Sequence, residues 1–297
     1  MRTKQKEYLG MLGLIMVTVI WGGGFVASDM ALESLSPFQI MAVRFFIASV
    51  CMTVMGVKEI KTITKEELKC GCILGTALFA GFALQIVGLQ YTTPSKNAFL
   101  TATNVVIVPF IALVIYRKKI ETRSLIGAVM AIAGAGILSL NSDFSVGLGD
   151  ILTLLCAVGF AFQIFLTGEY VGRIRPTVLN FLQMTTAFVL SVAGCFVEGA
   201  KIRPGGKSIL AVLYLGLVST TVTYLLQTVS QKYVEETKAA IILSMEAVFG
   251  TVFSVFLLHE NVTAKMILGS ALILSAVLVS ELRFQKKEET VQKVCEE

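Results

Sequence analysis

The chain has 297 residues, 55% hydrophobic and 15% charged, with mean hydropathy +0.79 and a formal net charge of +5. A soluble domain carries about 25% charged residues, and here the apolar residues form long runs instead of one stripe of an amphipathic helix, so an ordinary globular domain is excluded. The basic residues sit in short stretches between those runs, which reads as membrane topology and excludes a nucleic-acid-binding surface.

Only helices and closed barrels satisfy every backbone polar group in hydrocarbon, and the alternating ten-residue segments of a barrel are absent. Each run of about 20 apolar residues therefore predicts a transmembrane helix. The first, 9–27, follows Arg2, Lys4 and Lys6 as a signal peptide would. Similar runs continue along the chain, so it reads as an uncleaved first helix holding Trp21. The second, 37–57, opens on Pro37 and carries Arg44 about eight residues in. The third, 71–90, contains Gln85, and the fourth, 95–116, contains Asn104. The basic stretch Arg117-Lys118-Lys119 to Arg123 precedes the fifth, 124–140, which holds glycines from Gly127 to Gly136. The sixth, 150–166, begins at Asp150 and includes Gln163; the seventh, 177–197, includes Gln183. Gln227 lies in the eighth, 208–230, Glu246 in the ninth, 239–258, and the tenth spans 265–281. The segment 284–297 is charged and is expected to be a disordered cytoplasmic tail. The fold class is thus an all-α membrane protein of ten transmembrane helices embedded in the lipid bilayer, with only short loops.

Nineteen of the 25 lysines and arginines fall on the side that carries both ends, five on the opposite side, and Arg44 inside a helix. This bias places both termini in the cytoplasm. The one discordant loop, 198–207, puts Lys201, Arg203 and Lys207 outside.

The chain also reads as a duplication. A shift of 139 residues places Leu9-Gly10 on Leu148-Gly149 and Pro37 on Pro176. A shift of 142 places Leu84-Gln85 on Leu226-Gln227, Tyr91 on Tyr233, Lys96 on Lys238 and Gly127 on Gly269. Five helices per repeat is an odd number, so the second repeat is inverted relative to the first, the arrangement of many secondary transporters. The repeats are assigned to 1–142 and 143–283.

Under those shifts Glu246 is the counterpart of Asn104, Gln227 of Gln85, and Gln183 of Arg44. A carboxylate at the depth of Glu246 costs roughly 2.5 kcal/mol or more unless it faces a cavity or a partner. Three symmetry-related polar pairs at matching depth suggest one polar cavity, with Gln163 and Trp21 lining it from the first helix of each half. Glu246 fits a proton or cation coupling site, an anchor for a substrate amine, or a structural partner of Arg44. The glutamines equally fit interhelical hydrogen bonds, and Trp21 fits a cavity wall or simple packing. The glycines Gly22-Gly23-Gly24 and 127–136 fit close helix packing, or a homodimer face.

Other signals point away from catalysis. Cys51, Cys156 and Cys195 lie inside apolar runs, Cys70 and Cys72 where one begins, and Cys295 in the tail, a scatter expected of free thiols and not of a metal site. His259 is the sole histidine, which rules out histidine clusters and Ser-His triads. Gly205-Gly206-Lys207-Ser208 mimics the end of a phosphate-binding loop, but Lys201 stands where the first glycine is required. No aspartate-rich diphosphate motif is present. No enzyme, metal or cofactor is expected.

Gly149-Asp150-Ile151-Leu152-Thr153-Leu154-Leu155-Cys156-Ala157, Trp21-Gly22, and Ile241-Ile242-Leu243-Ser244-Met245-Glu246-Ala247-Val248-Phe249 resemble EamA-type members of the drug/metabolite transporter superfamily. So do 117–127 and 269–281, where a helix restarts after a short polar turn. The resemblance covers essentially the whole chain; where the family's segment continues from the glutamate with proline, this chain has Ala247. It implies a ten-helix carrier, a bacterial cytoplasmic-membrane location, and export of amino acids or other small metabolites. With no nucleotide-binding motif, the expected energy source is a gradient or exchange. A lipid-linked metabolite flippase and a non-transporting membrane sensor are the alternative readings.

Overall fold

The structure is a computed structural model and describes residues 2–117, 122–139, 146–171, 173–199, 205–231, 233–234 and 242–281. Lys118 and Lys119, Lys201 and Arg203, Lys238, the start of the ninth run and the segment 284–297 lie outside the described residues. The described residues form helices without a strand: α1 (Arg2–Leu32), α2 (Pro37–Ile60), α3 (Lys65–Leu89), α4 (Pro94–Tyr116), α5 (Thr122–Ser139), α6 (Leu148–Val171), α7 (Pro176–Glu198), α8 (Gly206–Gln231), α9 (Ile242–Leu258) and α10 (Ala264–Glu281). Eight of them, α1 to α8, are long and apolar enough to cross a membrane; α9 and α10 are shorter apolar helices.

Local chemistry sets the boundaries. Proline stands first in α2, α4 and α7, where its missing N–H costs nothing. Ser36 with Gln39, and Thr64 with Glu67, form reciprocal capping boxes that start α2 and α3. The second box begins α3 at Lys65, six residues before the apolar run at 71, because capping extends the helix into its polar flank. Arg117 (φ 52°) and His259 (φ 55°) end α4 and α9 in the left-handed conformation, two chain positions related by the 142 shift.

The distribution of polarity is inverted relative to a soluble protein. Val54, Val114, Phe196 and Phe256 face outward, while Arg44, Asn104, Gln163, Gln183 and Gln227 are buried. A multi-pass membrane protein has to be built this way, because its solvent is apolar.

The main contacts exchange between the two halves. Helix α5 packs along α10, α2 along α7, and α4 along α9. The pair α3–α6 has its counterpart in α8–α1, α3–α7 in α8–α2, and α4–α6 in α9–α1. Glycines permit the closest of these approaches: a Cβ on Gly134 would lie 2.9 Å from the Gly269 carbonyl oxygen, and one on Gly127 2.8 Å from the Ala276 carbonyl oxygen, so these two glycines of α5 pack against α10.

Candidate functional site

Both α4 and α9 are interrupted midway. Thr103 and Met245 have nearly the same conformation (φ −63°, ψ −13° and φ −66°, ψ −10°). At each the chain tightens: Thr103 N–H donates to Leu100 O at 3.3 Å and Met245 N–H to Ile242 O at 3.1 Å. Each residue then accepts from the amides three and four positions on, Val106 and Ile107 in α4, Val248 and Phe249 in α9. Asn104 and Glu246 are therefore the first residues of two restarted half-helices. Ala247 occupies the place of the expected proline, and the chain breaks there without it.

These half-helix starts face a cavity of about 440 Å³. Seven of the eight sequence-selected residues line it: Trp21, Arg44, Gln85, Asn104, Gln163, Gln227 and Glu246. Gln183 does not; its amide joins Asn180 (2.6 Å) and Gln163 (3.3 Å), and Asn180 continues to Thr228 (3.2 Å), a buried chain linking α6, α7 and α8. Among the described residues, helices α5, α7 and α10 contribute nothing to the wall.

The polar atoms in the cavity differ in how they are satisfied. Gln85 donates to Thr101 Oγ1 at 3.2 Å. The Trp21 indole donates to Ser219 O (3.1 Å) and Thr223 Oγ1 (2.9 Å), and its ring lies 5.5 Å from that of Tyr224. Arg44 donates from Nε and Nη2 to Thr220 Oγ1, at 3.1 and 2.9 Å. It makes no ion pair among the described residues, so it is not the partner of Glu246. Glu246 likewise has no hydrogen bond or ion pair there, and Asn104 Oδ1 is buried without a partner. Among the described residues, Arg44 and Glu246 therefore line the cavity without a counter-charge, while Asn97 Oδ1 and Asn104 Oδ1 are buried beside it without a hydrogen-bond partner.

Sequence reasoning missed Ser219, Thr220 and Tyr224. They belong to or follow a π-helical stretch, Tyr214–Val222, inside α8. Hydroxyl residues in a helix usually bond their own backbone and carry no external signal. The run Ser219-Thr220-Thr221 in an otherwise apolar helix was the available sign.

The cavity extends from Ser28, Leu89 and Asn97 to the C-terminal ends of α4, α6 and α8, where Tyr116 is 43% exposed. Tyr116 OH donates to Glu169 across α4 and α6 at this end. The opposite end is tied shut. Asp150 accepts from Thr92 Oγ1 (2.6 Å) and pairs with Lys96 (3.4 Å); Glu260 accepts from Ser95 Oγ (2.7 Å); Ser34 donates to Ser208 (2.7 Å).

The EamA-like transporter family model matches residues 8–140 and again 147–282. The chain belongs to that family. Among curated proteins the chain is similar to an uncharacterized transporter of Archaeoglobus fulgidus, 36% identical over 278 residues, covering 94% of this chain and 87% of the relative. The uncharacterized transporter YoaV of Bacillus subtilis is 24% identical, covering 94% and 98% of the two chains. A solved crystal structure superposes with TM-score 0.69 over 91% of this chain and 96% of its own at 16% identity, a likeness of fold. The family, and relatives named as transporters, make the protein a membrane transporter.

Proposed function

We propose that this EamA-family protein is a secondary carrier that moves small metabolites, such as amino acids or amphipathic compounds, out of the cell by alternating access. Ten helices cross the cell membrane as two inverted five-helix repeats, 1–142 and 143–283, with both termini cytoplasmic. A curated relative of 28% identity, YedA of Escherichia coli, carries the name of an inner membrane transporter, in keeping with that location. The observation that carries the reading is the pairing of Asn104 and Glu246 at symmetry-related half-helix starts on one cavity, each with an acceptor left unpaired. Broken helices at a repeat interface are where such carriers place their solute. The cavity reaches the end that the charge bias assigns to the cytoplasm, so this conformation is inward-facing, with its outer end held by Asp150 and Glu260.

The test is counterflow in proteoliposomes with amino acids, nucleosides and cationic drugs, preceded by a thermal-shift screen of the purified protein. Saturable counterflow of one class supports the carrier reading. Binding of a solute that never crosses the bilayer favours a sensor instead.

A further inference from the structure

Arg44 is a charged residue with 2% exposure in the wall of the cavity, and nothing among the described residues neutralises it. Its guanidinium stands over the Phe82 ring at 4.2 Å. Of its five N–H donors, only those on Nε and Nη2 are engaged, both by the hydroxyl of Thr220. Nη1 has no hydrogen bond among the described residues, and Arg44 lines the cavity.

Thr220 is held for this purpose by an unusual backbone. In the π-helical stretch its hydroxyl donates to the carbonyl five residues back, Leu215 O, at 2.7 Å, and Thr221 does the same to Gly216 O at 2.8 Å. The single proton of Thr220 Oγ1 is thereby committed to the backbone, and its lone pairs are turned on Arg44. A π-bulge often marks a functional position in a helix. A buried guanidinium without a counter-charge is costly, and a planar fork with free donors is the group that best matches a bidentate oxyanion. Glu246 and Tyr224 line the same cavity.

We propose that Arg44 is the anion-recognising group of the cavity, that Thr220 is its positioning residue, and that transported solutes carry a carboxylate or another oxyanion. This rests on the cavity being the solute site of the carrier proposed above.

Trp21 is the only tryptophan in the chain and lines the cavity, so its fluorescence reports occupancy. Purified protein is titrated with 3-phenylpropionate, its neutral amide and phenethylamine, which share one apolar body. The expected result is binding of the carboxylate on the order of tenfold or more tighter than of the amide, the effect of one charge-assisted pair. Arg44→Gln removes that preference. Thr220→Val reduces it and Thr220→Ser restores it, which a merely packing role for Thr220 does not require; this pair decides the question even where Arg44→Gln does not fold. Equal binding of amide or amine, absence of any Trp21 response to the carboxylate, or a preference that survives both Arg44→Gln and Thr220→Val overturns the proposal. Binding that follows these rules without counterflow of 3-phenylpropionate instead overturns the transport reading alone.

Discussion

Asn104 and Glu246 occupy the same place in two different helices: each is the first residue after a tightened turn, and the two turns share their hydrogen-bond pattern bond for bond. The chain has placed an amide in one copy and a titratable carboxyl in the other. Divergence at one symmetric position lets a single cavity distinguish its two sides.

Glu246→Gln keeps the shape and removes the charge. Membrane insertion and thermal stability are expected to persist, while gradient-coupled transport falls by roughly tenfold or more, the loss of one charge-assisted contact. Transport and its pH dependence are measured in proteoliposomes. Unchanged values in both would take Glu246 out of the mechanism.

Asn104 is expected to separate stability from activity. Its buried Oδ1 has no partner, and such an atom costs about 1–3 kcal/mol. Asn104→Leu should therefore melt at the same temperature or higher in detergent, while solute binding weakens. A variant that is both less stable and equally active would mean that Asn104 is only a packing residue.

The helices were legible because hydrocarbon imposes long apolar runs, and the polar residues were legible because each must face inward. Arg44, Asn104 and Glu246 stood out for that reason alone. Gln183 was grouped with them on symmetry, yet Gln163 and Asn180 satisfy it away from the cavity. The break at Met245 was hidden, since Ala247 leaves no proline to mark it. The π-helical stretch in α8 was hidden too, because an apolar helix has no periodicity in which an extra residue per turn would register.

Arg175 fastens the turn between α2 and α3 to the start of α7. Its guanidinium donates to Glu67 Oε1 (2.7 Å) and Oε2 (2.8 Å), to Thr62 Oγ1 (2.9 Å) and to Thr62 O (2.9 Å). Glu67 beside it holds the Arg175 guanidinium above its ordinary pKa, so the pair stays charged on the arginine side at any accessible pH. Lysine cannot reproduce a four-bond planar fork. Arg175→Lys is expected to lower the melting temperature, with Glu67→Gln producing a shift of the same sign.

Gly149 tests the packing of α3 on α6. A Cβ there would lie 2.6 Å from the Tyr91 carbonyl carbon and 2.7 Å from the Gly88 carbonyl oxygen, backbone atoms that cannot rotate away. Gly149→Val should force the helix ends apart and lower the yield of folded protein, read by fluorescence-detected size exclusion. Gly168, with open space around its Cβ position, is the control: Gly168→Ala should leave the elution profile unchanged.

The closed end of the cavity, the outer end in the proposed orientation, offers the sharpest test of alternating access. Asp150 is in the first turn of α6, where the helix dipole favours its charge, and its side chain is 4% exposed. It joins Thr92, in the turn between α3 and α4, and Lys96, in the first turn of α4, at the closed end of the cavity. If that end opens during transport, these bonds must break, and weakening them must raise the population of the opened state. Asp150→Asn replaces the ion pair by a neutral contact. A Ser28→Cys reporter, placed where the cavity meets this end, is followed with a membrane-impermeant maleimide applied from outside, in a background whose partly exposed thiols Cys51, Cys72 and Cys195 are serine. The reporter should react slowly with Asp150 intact and several-fold faster in Asp150→Asn, and a transported solute should change both rates. Equal labelling in the two backgrounds would mean that the Asp150 contacts are a fixed part of the scaffold, and that the carrier opens somewhere else.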